Sequence, residues 1–128
     1  IEVLKINNIK NIKLPVSAPF HCKMMSQATK IMKQELEKVT FQNSKNVLIS
    51  NVTAEEIFDK DKIKNLLIDQ IENRVRWRES IINMMNKGVN HFIEIGPGKV
   101  LSGLVKRINK NVKINTINIE DDIKDLNI

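Results

Sequence analysis

His21 is the residue whose type and setting best suit proton transfer, because an imidazole titrates near neutral pH. It follows Pro19-Phe20 and precedes an apolar-periodic stretch, so a loop meeting a helix can present its ring to a cleft. A lone histidine more commonly caps or packs, and residue type alone leaves that role open. His91 opens a strand-like run with no acid or nucleophile beside it, and reads as structural or solvent-facing. Cys22 adjoins His21, but thiol catalysis needs a base adjacent in space, and chain neighbours rarely point the same way. Gly96-Pro97-Gly98 links a strand to a helix start, where backbone N–H groups can receive a phosphate. It has neither GxGxxG nor Walker-type spacing, so it reads as a turn packing strand on helix. The Met24/Met25 and Met84/Met85 pairs each put one member on an apolar face and read as core filler. The only two histidines lie far apart and outside any HExxH pattern, so no metal site is expected.

These residues need elements to position them. Ile1 to Leu14 alternates loosely between apolar and polar residues and predicts a strand or two, with a turn around Asn7-Asn8. Pro15 and Pro19 each disfavour helix in the preceding residue, which predicts an extended path from Leu14 to Phe20. Met25, Ala28, Met32, Leu36 and Val39 recur at helical spacing and predict a helix from Met24 to Val39. Val47-Leu48-Ile49 reads as a short buried strand ending at Ser50-Asn51. Ile63, Leu66, Leu67 and Ile71 mark a second helix. Trp77, Ile81, Met84 and Met85 mark a third, closed by Lys87-Gly88. A strand over His91–Ile95, a helix carrying Val100 to Ile108, a strand over Lys113–Ile119 and a short helix after Glu120 complete the pattern. Strands alternating with helices predict an α/β domain with a largely parallel sheet, but with too few strands for a whole doubly wound domain.

Composition narrows the partners. The 128 residues suffice for one domain with a modest core. A net charge of +6 favours an acidic partner. Nucleic acid is disfavoured because aromatic residues make up only 4% of the chain, leaving few platforms for base stacking. The lysines are interspersed with carboxylates, as in Glu55 to Lys64, in the manner of a solvated mixed-charge surface. No apolar run is long enough to span a bilayer. One cysteine precludes an internal disulfide and fits a reducing compartment. The chain starts with Ile rather than Met and lacks a signal-peptide pattern, as expected of a piece of a longer protein.

Longer motifs carry more. Leu14-Pro15-Val16-Ser17-Ala18-Pro19-Phe20-His21-Cys22 resembles the histidine segment of malonyl-CoA:acyl-carrier-protein transacylases. Ser50-Asn51-Val52, Gln70, Val75-Arg76-Trp77, Ser80-Ile81 and the stretch from Glu94 to Leu104 follow in that family's order and spacing. The resemblance covers roughly residues 10 to 120. It implies the C-terminal half of an α/β-hydrolase-like acyltransferase large subdomain over residues 14–128. Residues 1–13 would be the last element of the inserted ferredoxin-like small subdomain.

The same resemblance implies ping-pong malonyl transfer through a serine ester. His21 would be the general base and acid, and the main-chain carbonyl of Gln70 would orient it in place of a triad aspartate. Asn51 would lie near the active-site floor, and Phe20 would restrict the acyl group to malonyl. Both belong to substrate binding. No GxSxG occurs in the chain, so the serine, the malonyl-binding arginine and the oxyanion glutamine are expected upstream of it, and the isolated chain is expected to be inactive. Arg74 stands where a proline is common in the family, and carboxylate binding is not assigned to Arg76.

Malonyl-CoA and an acidic acyl carrier protein are the implied partners. No resident cofactor, no metal, no nucleic acid and no membrane are expected, and the full-length protein is expected to be a monomer. Bacterial cytoplasm or a plastid stroma fits the composition. Two alternatives stand beside this reading: an acyltransferase piece of a polyketide or fatty acid synthase, and a basic non-catalytic binding module.

Overall fold

The computed structural model describes residues 2–12, 16–124 and 126. Its helices and strands run in the order α1 (Glu2–Ile6), α2 (Ser26–Glu37), β1 (Leu48–Ile49), β2 (Glu56–Ile57), α3 (Lys60–Asp69), α4 (Trp77–Asn86), β3 (His91–Ile95), α5 (Val100–Ile108) and β4 (Lys113–Ile117). Short 3-10 turns at Lys23–Met25 and Glu120–Ile123 precede α2 and follow β4.

The second half forms the better-packed unit. β3 and β4 pair in parallel, from His91 opposite Lys113 to Ile95 opposite Ile117, with α5 as the crossover. Side chains alternate across a strand, so Phe92 and its register partner Ile114 face the same side. That side meets the core of Ile81, Val105 and Val112, to which Trp77, Met84, Met85 and Ile108 add. The other face carries Ile93 and Ile95, which remain 37% and 78% exposed. A parallel pair is ordinarily covered on both faces; here the described chain covers one.

The first half is thinner. β1 and β2 form a two-residue antiparallel ribbon joined by the turn Ser50–Ala54. α3 starts where the Asp59 carboxylate accepts from the Lys62 N–H at 2.8 Å, which satisfies an otherwise unpaired first-turn donor. α4 ends at Lys87 and at Gly88, whose φ of +92° gives the left-handed cap that only glycine adopts without strain.

Several expectations change. The α/β class holds, but the sheet is not largely parallel, because β1 finds β2 and not β3. Glu56-Ile57 is too short to show a period of its own, so β2 leaves no mark in the sequence. Residues 2–6 are helical, not extended. The Asn7 and Ile9 N–H groups donate to Val3 and Leu4, and Asn8 sits at φ +54°. The expected turn at Asn7-Asn8 is present, but it closes a helix as its C-cap instead of following a strand. The path before His21 also turns. Ser17-Ala18 bend, and the Phe20 N–H donates back to Ala18 at 2.9 Å, so proline disfavours helix without enforcing a straight course. The first amphipathic helix stops at Glu37, short of Val39, and the Val47-Leu48 run lies exposed rather than buried. The expected boundary at Lys13/Leu14 and the Leu14-Pro15 start of the histidine motif lie outside the described residues.

Ile81 is 1% exposed at the centre of the core. Ile81→Ala is expected to lower the unfolding free energy by about 2–5 kcal/mol, through lost burial and the cavity left behind. Denaturant melts of the two proteins measure the difference.

Candidate active site

His21 lies at the turn between the Pro19 segment and the first 3-10 turn, with φ +60°. A non-glycine residue in this region carries strain that surrounding contacts must hold. The contact is with α3. The His21 Nδ1 lies 2.9 Å from the main-chain oxygen of Gln70. Gln70 is the C-cap of α3, at φ −58° and ψ −26°, and its own N–H completes the helix by donating to Leu66. Its carbonyl belongs to the last turn, where helix oxygens lack intrahelical donors and the helix dipole is negative. A carbonyl only accepts, so Nδ1 carries the proton in this bond and the Nε2 lone pair is left for other work.

Asn51 joins the group from the other side. Its Nδ2 donates to Gln70 Oε1 at 3.2 Å, so both the backbone and the side chain of Gln70 are engaged. Asn51 belongs to the Ser50–Ala54 turn, in which Ser50 is buried. The Ser50 Oγ accepts from the N–H groups of Val52 and Thr53 at 3.1 and 3.3 Å. Ala54, 5% exposed, takes φ +60° to close this turn. A cleft of about 270 Å³ opens beside the turn, with Asn51 and Gln70 among apolar neighbours such as Leu48, Ile63 and Leu66. Phe20, next to His21, is 59% exposed, so its ring packs against little of the described chain.

The structure thus brings His21, Gln70 and Asn51 together and leaves the Phe20 side chain exposed. Cys22 turns its thiol to the Pro19 carbonyl at 3.1 Å. His91 meets Asn115 across the strands at 2.8 Å, a structural contact on the parallel pair. Among the described residues no cluster of three or more His, Cys, Asp or Glu side chains is placed to hold a metal. Arg76 has a part that residue type did not announce. Its backbone N–H donates to the Asn51 oxygen at 2.8 Å and its Nη1 to the Thr53 oxygen at 2.9 Å. Arg74, at the position where the resembled family commonly has proline, reaches Glu79 at 3.2 Å. The Glu79 carboxyl is held below its usual range by its own backbone N–H, then by Arg76 and Arg74.

The glycine turn serves the fold. Gly96 and Gly98 take φ +135° and +92°, and the Gly98 N–H bonds the Asn118 side chain. The start of α5 is occupied from within. The Glu94 carboxylate accepts from the Leu101 and Ser102 N–H groups at 3.0 and 2.7 Å. An acid at a helix N-terminus satisfies its free donors and its dipole together, which supports the reading of the turn as packing and not as a phosphate loop.

No family model matches the chain. It is 44% identical over 121 residues to the malonyl CoA-acyl carrier protein transacylase of Bacillus subtilis strain 168, covering 94% of this chain and 38% of that protein. The crystal structure of acyl-carrier-protein-S-malonyltransferase from Bartonella henselae matches with a TM-score of 0.88 and 42% identity over 97% of this chain and 40% of that one. A type II PKS acyl-carrier protein in complex with its malonyl-transacylase matches with a TM-score of 0.85 and 31% identity over 96% of this chain and 40% of that one. The fold is that of a segment of an acyltransferase. More narrowly, the chain is related to the malonyl CoA-acyl carrier protein transacylases, spanning 38% of the length of the curated relative from Bacillus subtilis. The motif resemblance is borne out.

Hydrogen bonding from Ser102, and then from the Leu101 N–H, holds the Glu94 carboxyl below its ordinary value. A lowered folded-state value means that this contribution to stability is complete above the ordinary carboxylate range and is lost as pH falls through the lowered value. Glu94→Gln should therefore melt lower than the parent at pH 7, and the gap should close on acidification through the carboxylate range. Thermal melts across pH test this.

Proposed function

We propose that this chain is the histidine-bearing part of an enzyme that moves a malonyl group from coenzyme A to the phosphopantetheine thiol of an acyl carrier protein, in fatty acid synthesis. The carrying observation is the 2.9 Å contact between His21 Nδ1 and the Gln70 carbonyl, in a chain related to malonyl transacylases. On this reading a serine carried outside these 128 residues is the nucleophile.

The chemistry follows from the tautomer. With Nδ1–H bonded to Gln70, Nε2 takes the serine proton as the hydroxyl oxygen attacks the thioester carbonyl. The carbon–sulfur bond breaks, the proton on Nε2 passes to the leaving coenzyme A thiol, and a malonyl-serine ester remains. In the second half, Nε2 takes the proton of the carrier's thiol, sulfur attacks the ester, and the proton returns to the serine oxygen. Twice in each cycle the ring is an imidazolium. The Gln70 carbonyl and the negative end of α3 stabilise that charge, as a buried aspartate does in a serine triad. The reaction needs no resident cofactor or metal.

Asn51 and Phe20 are assigned to the acyl-binding side. Phe20 offers a bulky ring against a methyl-branched acyl group, worth about 1–3 kcal/mol of discrimination at most. Residues 1–13 are assigned to the end of a small inserted subdomain and 14–128 to the large one. The net charge of +6 suits an acidic carrier protein. No helix among the described residues is long and apolar enough to cross a membrane. A monomeric enzyme of bacterial cytoplasm or plastid stroma completes the proposal.

In the full-length protein, His21→Ala should lower malonyl transfer to carrier protein by roughly a hundredfold or more, the ordinary worth of a positioned general base. Near-parental turnover would remove His21 from the mechanism. The isolated chain should take up no malonyl label from malonyl-CoA.

A further inference from the structure

His21 is exposed, strained in backbone conformation and tied by its ring to one carbonyl, so whatever fixes that carbonyl fixes the base. Gln70 ends α3, and the chain beyond it loops to α4 without regular structure until Trp77. Two cross-links hold this loop against the Ser50–Ala54 turn. At one end, Asn51 Nδ2 donates to Gln70 Oε1 at 3.2 Å. At the other, Arg76 donates its backbone N–H to the Asn51 oxygen at 2.8 Å and its Nη1 to the Thr53 oxygen at 2.9 Å. Arg76 is itself anchored. Its carbonyl accepts from the Ser80 N–H and Oγ, each at 2.9 Å, in the first turn of α4. The turn being gripped is the one in which Ala54 holds φ +60°, and the Asn83 side chain secures the Ala54 oxygen at 2.8 Å.

Resting on the proposed reading of His21 as the base, we infer that Asn51 and Arg76 are positioning residues. They clamp both ends of the Gln70–Arg76 loop onto one turn, and so set the direction of the Gln70 carbonyl and the tautomer of His21. Asn51 acts through the Gln70 side chain. Arg76 acts through the turn that presents Asn51, and its guanidinium is spent on the Thr53 carbonyl and Glu79, not on substrate. Arg76 touches no reacting atom, and the hold of Asn51 on Gln70 is additional to its place on the acyl-binding side. A packing role alone would make both residues matter for stability and leave the ring of His21 unaffected.

Long-range proton–nitrogen NMR of the full-length protein reads the ratio of Nδ1–H to Nε2–H tautomers at neutral His21. The parent should be dominated by the Nδ1–H form. Asn51→Ala and Arg76→Met should each lower the ratio by roughly threefold to tenfold, the equilibrium worth of one ordinary hydrogen bond. Gln70→Met keeps the main-chain acceptor but deletes Oε1, so it should match Asn51→Ala, and combining these two should add nothing further. His91, bonded to Asn115 on the parallel strands, reports folding and should be unchanged. An unchanged His21 ratio in variants that keep the His91 signature overturns the inference, and should Arg76→Met lose that signature, Gln70→Met decides alone. The ratio is read without turnover, so a failure of malonyl transfer and a failure of the clamp are distinguishable.

Discussion

One carbonyl at the end of a ten-residue helix, bonded to the His21 ring, governs the candidate site. A helix end leaves its last oxygens to find donors outside the regular ladder, and the peptide dipoles make that end negative. Asp69 receives the Glu72 and Asn73 N–H groups, and Gln70 receives His21. The Gln70 oxygen therefore suits an N–H donor that becomes positively charged, and the imidazole of His21 is such a donor. A carboxylate in this place would add a full charge that has to be desolvated. A helix terminus supplies a partial charge already built into the backbone, and its direction is as rigid as the loop that follows it.

That rigidity is borrowed from α4. One side of α4 places Ile81 in the core with Val105 and Val112. Elsewhere on the same segment, the chain at Arg76 and Asn83 reaches back to Thr53 and Ala54 on the ribbon turn. Lys87, just past the helix, pairs with Glu56 on β2 at 2.9 Å. A partly exposed pair of this kind adds little stability, but it lies on the same seam. The best-packed part of the chain thus steadies a thin ribbon whose own hydrogen bonds are few. The positive φ of Ala54 and of His21 is tolerated because contacts on both sides hold each backbone in place.

The exposed apolar side chains follow a pattern. Ile93 and Ile95 lie on the uncovered face of β3, and Val100 at the start of α5 is 72% exposed. The relatives from Bacillus subtilis and Bartonella henselae are matched over only 38% and 40% of their lengths. A half-covered parallel pair is the arrangement expected when one layer of an α/β sandwich lies outside the residues present.

The sequence by itself determined the class of the fold, most of its helices and strands, and the family to which the chain is related. Periodicity is local: α3, α4, α5 and the paired strands β3 and β4 are written in residues a few positions apart. The histidine and glycine-turn motifs are likewise contiguous. Features a few residues long were misread where local signals are ambiguous. A turn at an asparagine pair closes a helix as readily as a strand, and two residues cannot display a strand period, which hid β2. The family resemblance named Gln70 as the partner of His21, but only the tertiary structure decided the contact itself and what holds it. Residues 49 positions apart meet at 2.9 Å in the His21–Gln70 bond, and the Arg76 guanidinium crosses 23 positions to reach Thr53. Residue spacing along the chain does not encode such contacts, because they depend on how α3, α4 and the ribbon turn pack. The role of Arg76 was invisible for the same reason, since an arginine in sequence reads first as a surface charge or an anion ligand. What it grips is set by which carbonyls the fold leaves within its reach.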